Sequence, residues 1–221
     1  SIMALNTLPA GAFADSAITS AKINLANTFA FTGTVTGTTD LVLIKTVTIS
    51  DDTTISFVNG SNGVVLDSTY KAYKIIGTGL TITESDGVHL TFNASIDTGS
   101  NYNVDKTNTG EKINRDTSGN NNTSTSIFNQ NTTSACNILR DLDGNEANNQ
   151  ANFEMTLFEP SSTANFKFAR TLGSYKRTGS YAELCDVITM LETTSAIDAI
   201  QFAPSGSNID TGQISLYGVK S

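Results

Sequence analysis

The sequence is poor in the residues on which many functional sites depend. Among 221 residues it has no tryptophan, one histidine, two cysteines and three prolines. Cys136 and Cys185 allow at most one disulfide, and Cys185 lies in an apolar run typical of a buried side chain, so we predict no disulfide. His89 alone cannot build a histidine-rich metal site, and we expect it on the solvent face of a strand.

Positive charge is also scarce. Thirteen Lys and Arg residues face 21 Asp and Glu residues, which gives a formal net charge of −8 and a pI near 4.5. Nucleic acid needs a basic footprint, so we exclude it as a partner.

No apolar run reaches the roughly 18 residues of a membrane span, and the chain starts without the features of a signal peptide. We expect no membrane insertion and synthesis in the cytoplasm.

Polar uncharged residues and short alternating segments dominate the chain. Ser, Thr and Asn make up about a third of the residues. Near the C-terminus, Ile200 and Phe202 precede a turn, and Ile214 and Leu216 then alternate with polar residues, which is typical of a closing hairpin. The spacing of about eight to ten such segments predicts an all-β fold. We predict a jelly-roll-like antiparallel β-sandwich over residues 41–221.

Period-two alternation also predicts which side chains form the core. In the first strand Leu41, Leu43, Val47 and Ile49 should share one face. The core candidates after residue 152 are Phe153, Met155, Leu157, Phe166, Phe168, Leu172, Val187 and Leu191, together with Ile197, Ile200, Phe202, Ile214 and Leu216 near the C-terminus.

Residues 1–40 predict an extended N-terminal arm. They contain no apolar pattern long enough to form a core of their own. Six apolar side chains are too many to leave in water, so we expect the arm to dock or trimerise against neighbouring subunits. A flexible linker is the alternative. The six residues are Phe13, Ile18, Ile23, Leu25, Phe29 and Phe31.

Residues 97–152 are markedly polar. Two short strand candidates, Thr125–Phe128 and Cys136–Leu139, interrupt them. Elsewhere interspersed apolar residues favour ordered long loops at one end of the sandwich over disorder, and binding residues concentrate on such loops. The candidates for ligand binding are Asn101, Tyr102, Asn103, Asn120, Asn121 and Tyr175.

Two patterns could carry metal or acid–base chemistry. Asp141, Asp143 and Asn145 place oxygen-bearing side chains at alternate positions, as calcium loops do. The glycine comes two positions too early for an EF-hand, which favours a plain Asp-Gly turn with calcium as the minor interpretation.

Paired carboxylates could serve a glycosidase, but the chain has no tryptophan for sugar stacking. The pairs are Glu154 with Glu159 and Asp97 with Asp105.

A third pattern is a group of basic residues around a Gly-Ser-Tyr segment. It is typical of a solvated strand pair and turn, although it could meet an acidic neighbouring subunit. Its members are Lys167, Arg170, Lys176 and Arg177. We predict no catalytic residues, no resident metal and no cofactor.

Short motifs resemble one family of proteins. The ending ISLYGVK follows an I-x-x-I-x-F strand and a Ser/Gly/Asn turn, and this arrangement resembles the C-terminal sandwich domain of bacteriophage tail-fibre, head-fibre and decoration proteins, especially marine and cyanophage ones. TISFVNGS at 54–61 and NASIDTGSNYN at 93–103 fit the same resemblance, which covers most of residues 42–221. The segments AITSAKI and FTGTVTG resemble linkers of trimeric phage fibres.

The resemblance implies a virion structural protein made in the host cytoplasm and displayed on the virion surface. A short fibre, spike or capsid decoration protein would form a homotrimer, contact other virion proteins through the arm, and attach to the host or stabilise the particle. Host-surface glycan is a candidate ligand. Two alternatives from other classes are a non-catalytic carbohydrate-binding module and a polysaccharide depolymerase.

Overall fold

The computed structural model describes residues 40–83, 86–116, 123–144, 149–177 and 181–220, with the backbone alone at residue 86. These residues belong to one compact unit and contain strands, turns and no helix. The six apolar residues predicted to anchor the arm, from Phe13 to Phe31, lie outside the described residues.

The described chain forms twelve β-strands, more than the sequence predicts. They are β1 (Leu41–Asp52), β2 (Ile55–Val58), β3 (Ala72–Ile82), β4 (Asp86–Ser95), β5 (Lys106–Asp116), β6 (Thr123–Thr132), β7 (Cys136–Asp143), β8 (Ala151–Phe158), β9 (Lys167–Arg177), β10 (Tyr181–Leu191), β11 (Ala199–Pro204) and β12 (Ile209–Val219).

Eight of the strands form a jelly roll. They make two antiparallel sheets, ordered β1-β12-β3-β8 and β2-β11-β4-β7. Counted along the chain, the first of the eight pairs with the last, the second with the seventh, the third with the sixth and the fourth with the fifth. This nesting is the jelly-roll arrangement, so the predicted fold class is confirmed.

The other four strands are two hairpins inserted into the jelly roll. β5–β6 lies between β4 and β7, and β9–β10 lies between β8 and β11. β9 pairs with β8, and β10 joins β9 to β5 along its whole length. The first sheet therefore becomes β1-β12-β3-β8-β9-β10-β5-β6, which we call the large sheet; β2-β11-β4-β7 is the small sheet. A single pair, Leu142 with Arg177, connects β7 of the small sheet to β9 of the large sheet.

The inserted hairpins correct the prediction of long loops over 97–152. Most described residues of that range belong to β5, β6 and β7. Along much of β5 and β6, polar residues occupy both faces of the strand, as in Lys106-Thr107-Asn108-Thr109. A strand of this kind has no hydrophobic periodicity to reveal it.

β5, β6 and β9 supply side chains that bond the free backbone edge of β7. Asn108 Nδ2 donates to the carbonyl of Asn137 at 2.8 Å, and the Asn137 N–H donates to Gln130 Oε1 at 2.7 Å. The Tyr175 hydroxyl donates to the carbonyl of Arg140 at 2.6 Å and accepts from its N–H at 3.2 Å. Buried backbone groups need partners. The inward-facing residues Asn108 of β5 and Gln130 of β6 are therefore polar for a structural reason.

The core lies between the two sheets. Of the predicted core residues, Phe153, Met155, Leu157, Val187 and Leu191 are buried. Phe166 and Phe168 are instead each 47% exposed, and Leu172 is half-buried. The prediction is wrong for these three because β9 turns its other face inward, from Lys167 through Ala169 and Thr171 to Gly173 and Tyr175.

The first strand shows how a bulge changes the buried face. Leu43 is 56% exposed whereas Ile49 is 4% exposed. A register shift against β12 falls between Leu43 and Lys45. A one-residue shift moves every later side chain to the opposite face, so the predicted single face over residues 41–49 is wrong.

Gly173 makes room for the core at the centre of β9. A Cβ atom at this position would overlap Leu139 of β7, which is fully buried. We expect Gly173→Ala to lower the free energy of unfolding by ~1–3 kcal/mol through overpacking, as measured by urea denaturation. Ser174→Ala, at an exposed neighbouring position, should change it by less than ~0.5 kcal/mol. Equal midpoints for the two variants would contradict this packing.

Candidate functional site

The loop between β4 and β5 contains three of the predicted ligand-binding residues. The Asn101 side chain donates to Asp97 Oδ2 at 2.7 Å, and the Asn101 N–H donates to Asp97 Oδ1 at 2.8 Å. These bonds hold the pKa of Asp97 below its ordinary value, the Asn101 side chain having the largest effect. The Tyr102 carbonyl accepts from Asn93 Nδ2 at 2.5 Å. The loop is ordered by its own polar groups, and Asn103 is exposed on it.

Tyr175 is not a loop residue, and the prediction that it contacts ligand is wrong. It lies in β9, is 6% exposed, and bonds the backbone of Arg140 in β7. Burial raises the pKa of its hydroxyl. The remaining two candidates, Asn120 and Asn121, lie outside the described residues.

Two of the predicted calcium ligands belong to β7 rather than to a loop. Asp141 forms an ion pair with Lys112 Nζ, so an ammonium group already neutralises its carboxylate. Asp143 is 5% exposed, and Asn145 lies outside the described residues. Across the described ranges, no group of three or more His, Cys, Asp or Glu could hold a metal ion.

Lys112 is the centre of a charged cluster between β5, β7 and β10. Its Nζ lies 3.2 Å from Glu183 Oε1, and the Glu183 side chain is fully buried. Burial raises the pKa of Glu183, against the opposing effect of Lys112. Burial would also raise the pKa of Asp141, but the hydrogen bond and charge of Lys112 lower it overall. The Lys112 ammonium group is thus close to two carboxylates, of which Asp141 has a lowered pKa and Glu183 a raised pKa.

His89 joins β4 to β7 beside this cluster. Its Nδ1 accepts from the Asp141 N–H at 3.1 Å, at a point where the ladder between the two strands is irregular. Its side chain is 23% exposed, whereas Val88 and Leu90 on either side of it are buried. His89 therefore lies on the predicted face of the strand but is partly covered there. Burial lowers the pKa of His89. The neutral imidazole is the form that can accept this hydrogen bond.

The two cysteines do not provide a reactive thiol. Cys136 and Cys185 are free and both are fully buried. Burial raises the pKa of both, that of Cys185 to about 12. The thiolate is the reactive form, so both thiols are chemically quiet at neutral pH.

Two buried lysines fasten loops to the sandwich. Lys106 Nζ donates to the carbonyl of Ser134 at 2.9 Å. Lys167 Nζ donates to the carbonyls of Thr193 at 2.9 Å and Ser195 at 2.6 Å. Burial lowers the pKa of both ammonium groups. The sequence analysis assigned Lys167 to a solvated basic group and did not single out Lys106; the available signal for burial was that each lysine occupies an inward-facing position of its strand.

The predicted basic group is divided between the two faces of β9. Lys167 is buried, whereas Arg170 points outward. Arg170 pairs with Asp186 through two hydrogen bonds, of 3.1 and 2.7 Å. Glu154, one of the carboxylates considered for a glycosidase, also forms an ion pair, and its carboxylate lies 2.9 Å from Lys74 Nζ.

The face of the large sheet that points away from the small sheet is called the outer face. It carries an exposed apolar area. Phe158 lies directly opposite Phe168 in the β8–β9 ladder, and each is 47% exposed. Four residues farther along the same ladder, where Glu154 lies opposite Leu172, an open depression of about 370 Å³ is lined in part by Ile76, Leu172 and Leu184. Clustered apolar exposure on a soluble domain marks an interaction surface. The sequence prediction missed it because it assigned Phe168 to the core.

No protein-family model, curated protein or solved structure matches the chain. None of the described residues forms a helix that is long and apolar enough to cross a membrane. Function must therefore be inferred from the residues and their geometry.

The lowered pKa of His89 makes a prediction about stability. Its proton is bound more weakly in the folded than in the unfolded chain, whose histidine pKa is about 6.5. The stabilisation is thus present above that pH and lost as the pH falls through it. We expect wild-type stability to fall between pH 7.5 and pH 5.5 relative to His89→Gln, measured by urea unfolding of both proteins at both values.

Other titrating groups cancel in that comparison. The raised pKa of Glu183 acts in the opposite direction, since its contribution is lost as the pH rises, but it is common to both proteins. His89 is the only histidine of the chain. An identical pH dependence for the two proteins would show that the imidazole is not held in its neutral form.

Proposed function

We propose that the chain is a non-catalytic structural protein of a phage virion, a short fibre, spike or capsid decoration protein that displays its jelly roll at the particle surface. The observation that supports this best is the outer face, a broad area of a rigid sheet with exposed Phe158, Phe168 and Ile188. Such a face suits contact with another large surface better than capture of a small substrate.

The engagement of the ionisable groups supports a structural role over an enzymatic one. Asp97 orders its own loop, Glu154 pairs with Lys74, and in the cluster around Lys112 the Glu183 side chain is fully buried while Asp141 is bound to the same ammonium group. A glycosidase needs two carboxyl groups that flank one bond of the substrate in a shared cleft. Asp97 and Glu154 are instead tied to separate structural partners, and Asp141 and Glu183 share Lys112.

A rigid platform and repeated copies would together give attachment. In this proposal the arm over residues 1–40 holds three copies together and contacts other virion proteins, and each copy presents its sandwich outward. Three weak contacts to a host-surface glycan or protein then act as one strong contact through avidity. The bonding of Asn101 within its loop and the burial of Tyr175 give no support to a glycan-binding module built on those residues.

The mass of the full chain in solution tests the assembly part of the proposal. We expect light scattering to give a multiple of three times the chain mass of 23.3 kDa, because the apolar arm residues should pack together. Phe29→Asp combined with Phe31→Asp should lower the mass threefold. Thr32→Asp combined with Thr34→Asp adds the same charge at polar positions and should leave the mass unchanged. A full-length chain that stays monomeric would refute trimerisation through the arm.

A further inference from the structure

Four strands have an edge that is open or nearly open within the described residues: β1 and β6 on the large sheet, and β2 and β7 on the small sheet, where β7 meets β9 only at the pair Leu142–Arg177. The outward N–H and C=O groups of an edge strand can pair with any strand that approaches. Natural proteins therefore block such edges with charge, proline, bulges, short length or covering groups. The four edges of this protein differ in this respect.

Three of the edges carry such protection. β7 is covered by the side chains of Asn108, Gln130 and Tyr175, which bond its backbone. β2 is only four residues long. β1 carries Lys45 and an irregular register beside it.

β6 has none of these devices. Its ten residues, TSTSIFNQNT, include no charged residue, proline or glycine. It follows β5 over ten consecutive pairs without a register shift. Most of its side chains are exposed, and no other described strand lies along its second edge. Relative to the described part of the chain, β6 is therefore a long, regular and neutral edge whose outward backbone groups face no strand.

We propose that β6 pairs with β6 of a second copy of this chain, antiparallel about a two-fold axis at Ile127, so that two large sheets become continuous. Ile127 is 78% exposed, the highest value among the exposed large apolar side chains. In a two-fold antiparallel pair the residue on the axis lies opposite itself. The pairing thus places two exposed isoleucine side chains in contact on the outer face.

The rest of the strand suits a second copy as the occupant. In this register Thr125 lies opposite Asn129 on both sides of the axis, a pair of uncharged groups that can share a hydrogen bond. No like charges meet across the strand pair, since β6 carries none. A two-fold contact uses the same patch on both copies and is closed. The remaining edges of the joined sheets are the protected ones, so growth stops at two.

The contact is independent of the proposed arm-mediated trimer, and a charge exchange in the full chain tests it. Ile127→Lys alone and Ile127→Glu alone should each halve the mass measured by light scattering, because like charges then face each other on the axis. An equimolar mixture of the two variants should restore the wild-type mass. Two variants that had lost their fold would not recover the wild-type mass when mixed, so this result separates loss of the contact from misfolding.

The control is Ile188→Lys. Ile188 is 49% exposed on the same outer face but lies in β10, two strands away from the open edge. Its variant should keep the wild-type mass. The proposal is overturned if Ile127→Lys leaves the mass unchanged, or if Ile188→Lys halves it equally. Failure of the arm variants to reduce the mass threefold would leave this result untouched.

Cross-linking tests the register. Ile127→Cys should form a disulfide-linked dimer under mild oxidation, visible on a non-reducing gel, because the two copies of this position meet on the axis. The native Cys136 and Cys185 are fully buried and should not react. Thr123→Cys, exposed near the strand start, lies opposite Asn131 and should cross-link far less. Equal cross-linking of the two variants would overturn the assigned register.

Discussion

The fold depends on a single requirement, that every backbone polar group at the covered edge of the small sheet has a partner. β7 ends that sheet, and no complete strand continues it. Asn108, Gln130 and Tyr175 supply the missing hydrogen bonds from the inserted hairpins. Leaving such groups unpaired in the interior would cost ~1–3 kcal/mol each. The two hairpins are therefore integral to the jelly roll, although its eight-strand topology is complete without them.

This requirement explains why so many ionisable groups lie inside the protein. Side chains that cover the edge of another strand must hydrogen-bond its backbone. They are therefore polar, and some of them are charged. Lys112, Glu183 and Asp141 form one such internal group, and His89 completes the bonding of β7 beside it. Their shifted pKa values follow from burial and mutual charge. Shifted pKa values often indicate catalysis, but structural ion pairs produce the same shifts, and here the geometry supports the structural explanation.

The same arrangement shapes the surface. Since β9 turns Lys167, Gly173 and Tyr175 inward, its aromatic side chains must face out, and they create the apolar outer face with the neighbouring strands. The insertion also moves the end of the large sheet from β8 to β6, a strand without the usual protection of an edge. Both surfaces on which we base functional proposals are thus consequences of the two hairpins. The proposals concern association with large partners, which is what flat faces and open edges can provide.

The amino-acid sequence by itself determined the all-β class and the jelly-roll type of fold, because alternating apolar residues and turns recur at strand spacing. It also identified much of the core, including Phe153, Met155 and Leu157. Only the tertiary structure decided which face of β9 is buried, that β5 is a strand, and that β6 extends beyond the short candidate Thr125–Phe128. Alternation defines two faces of a strand without saying which one is covered. A polar strand carries no alternation, so its place depends on the groups that lie opposite it.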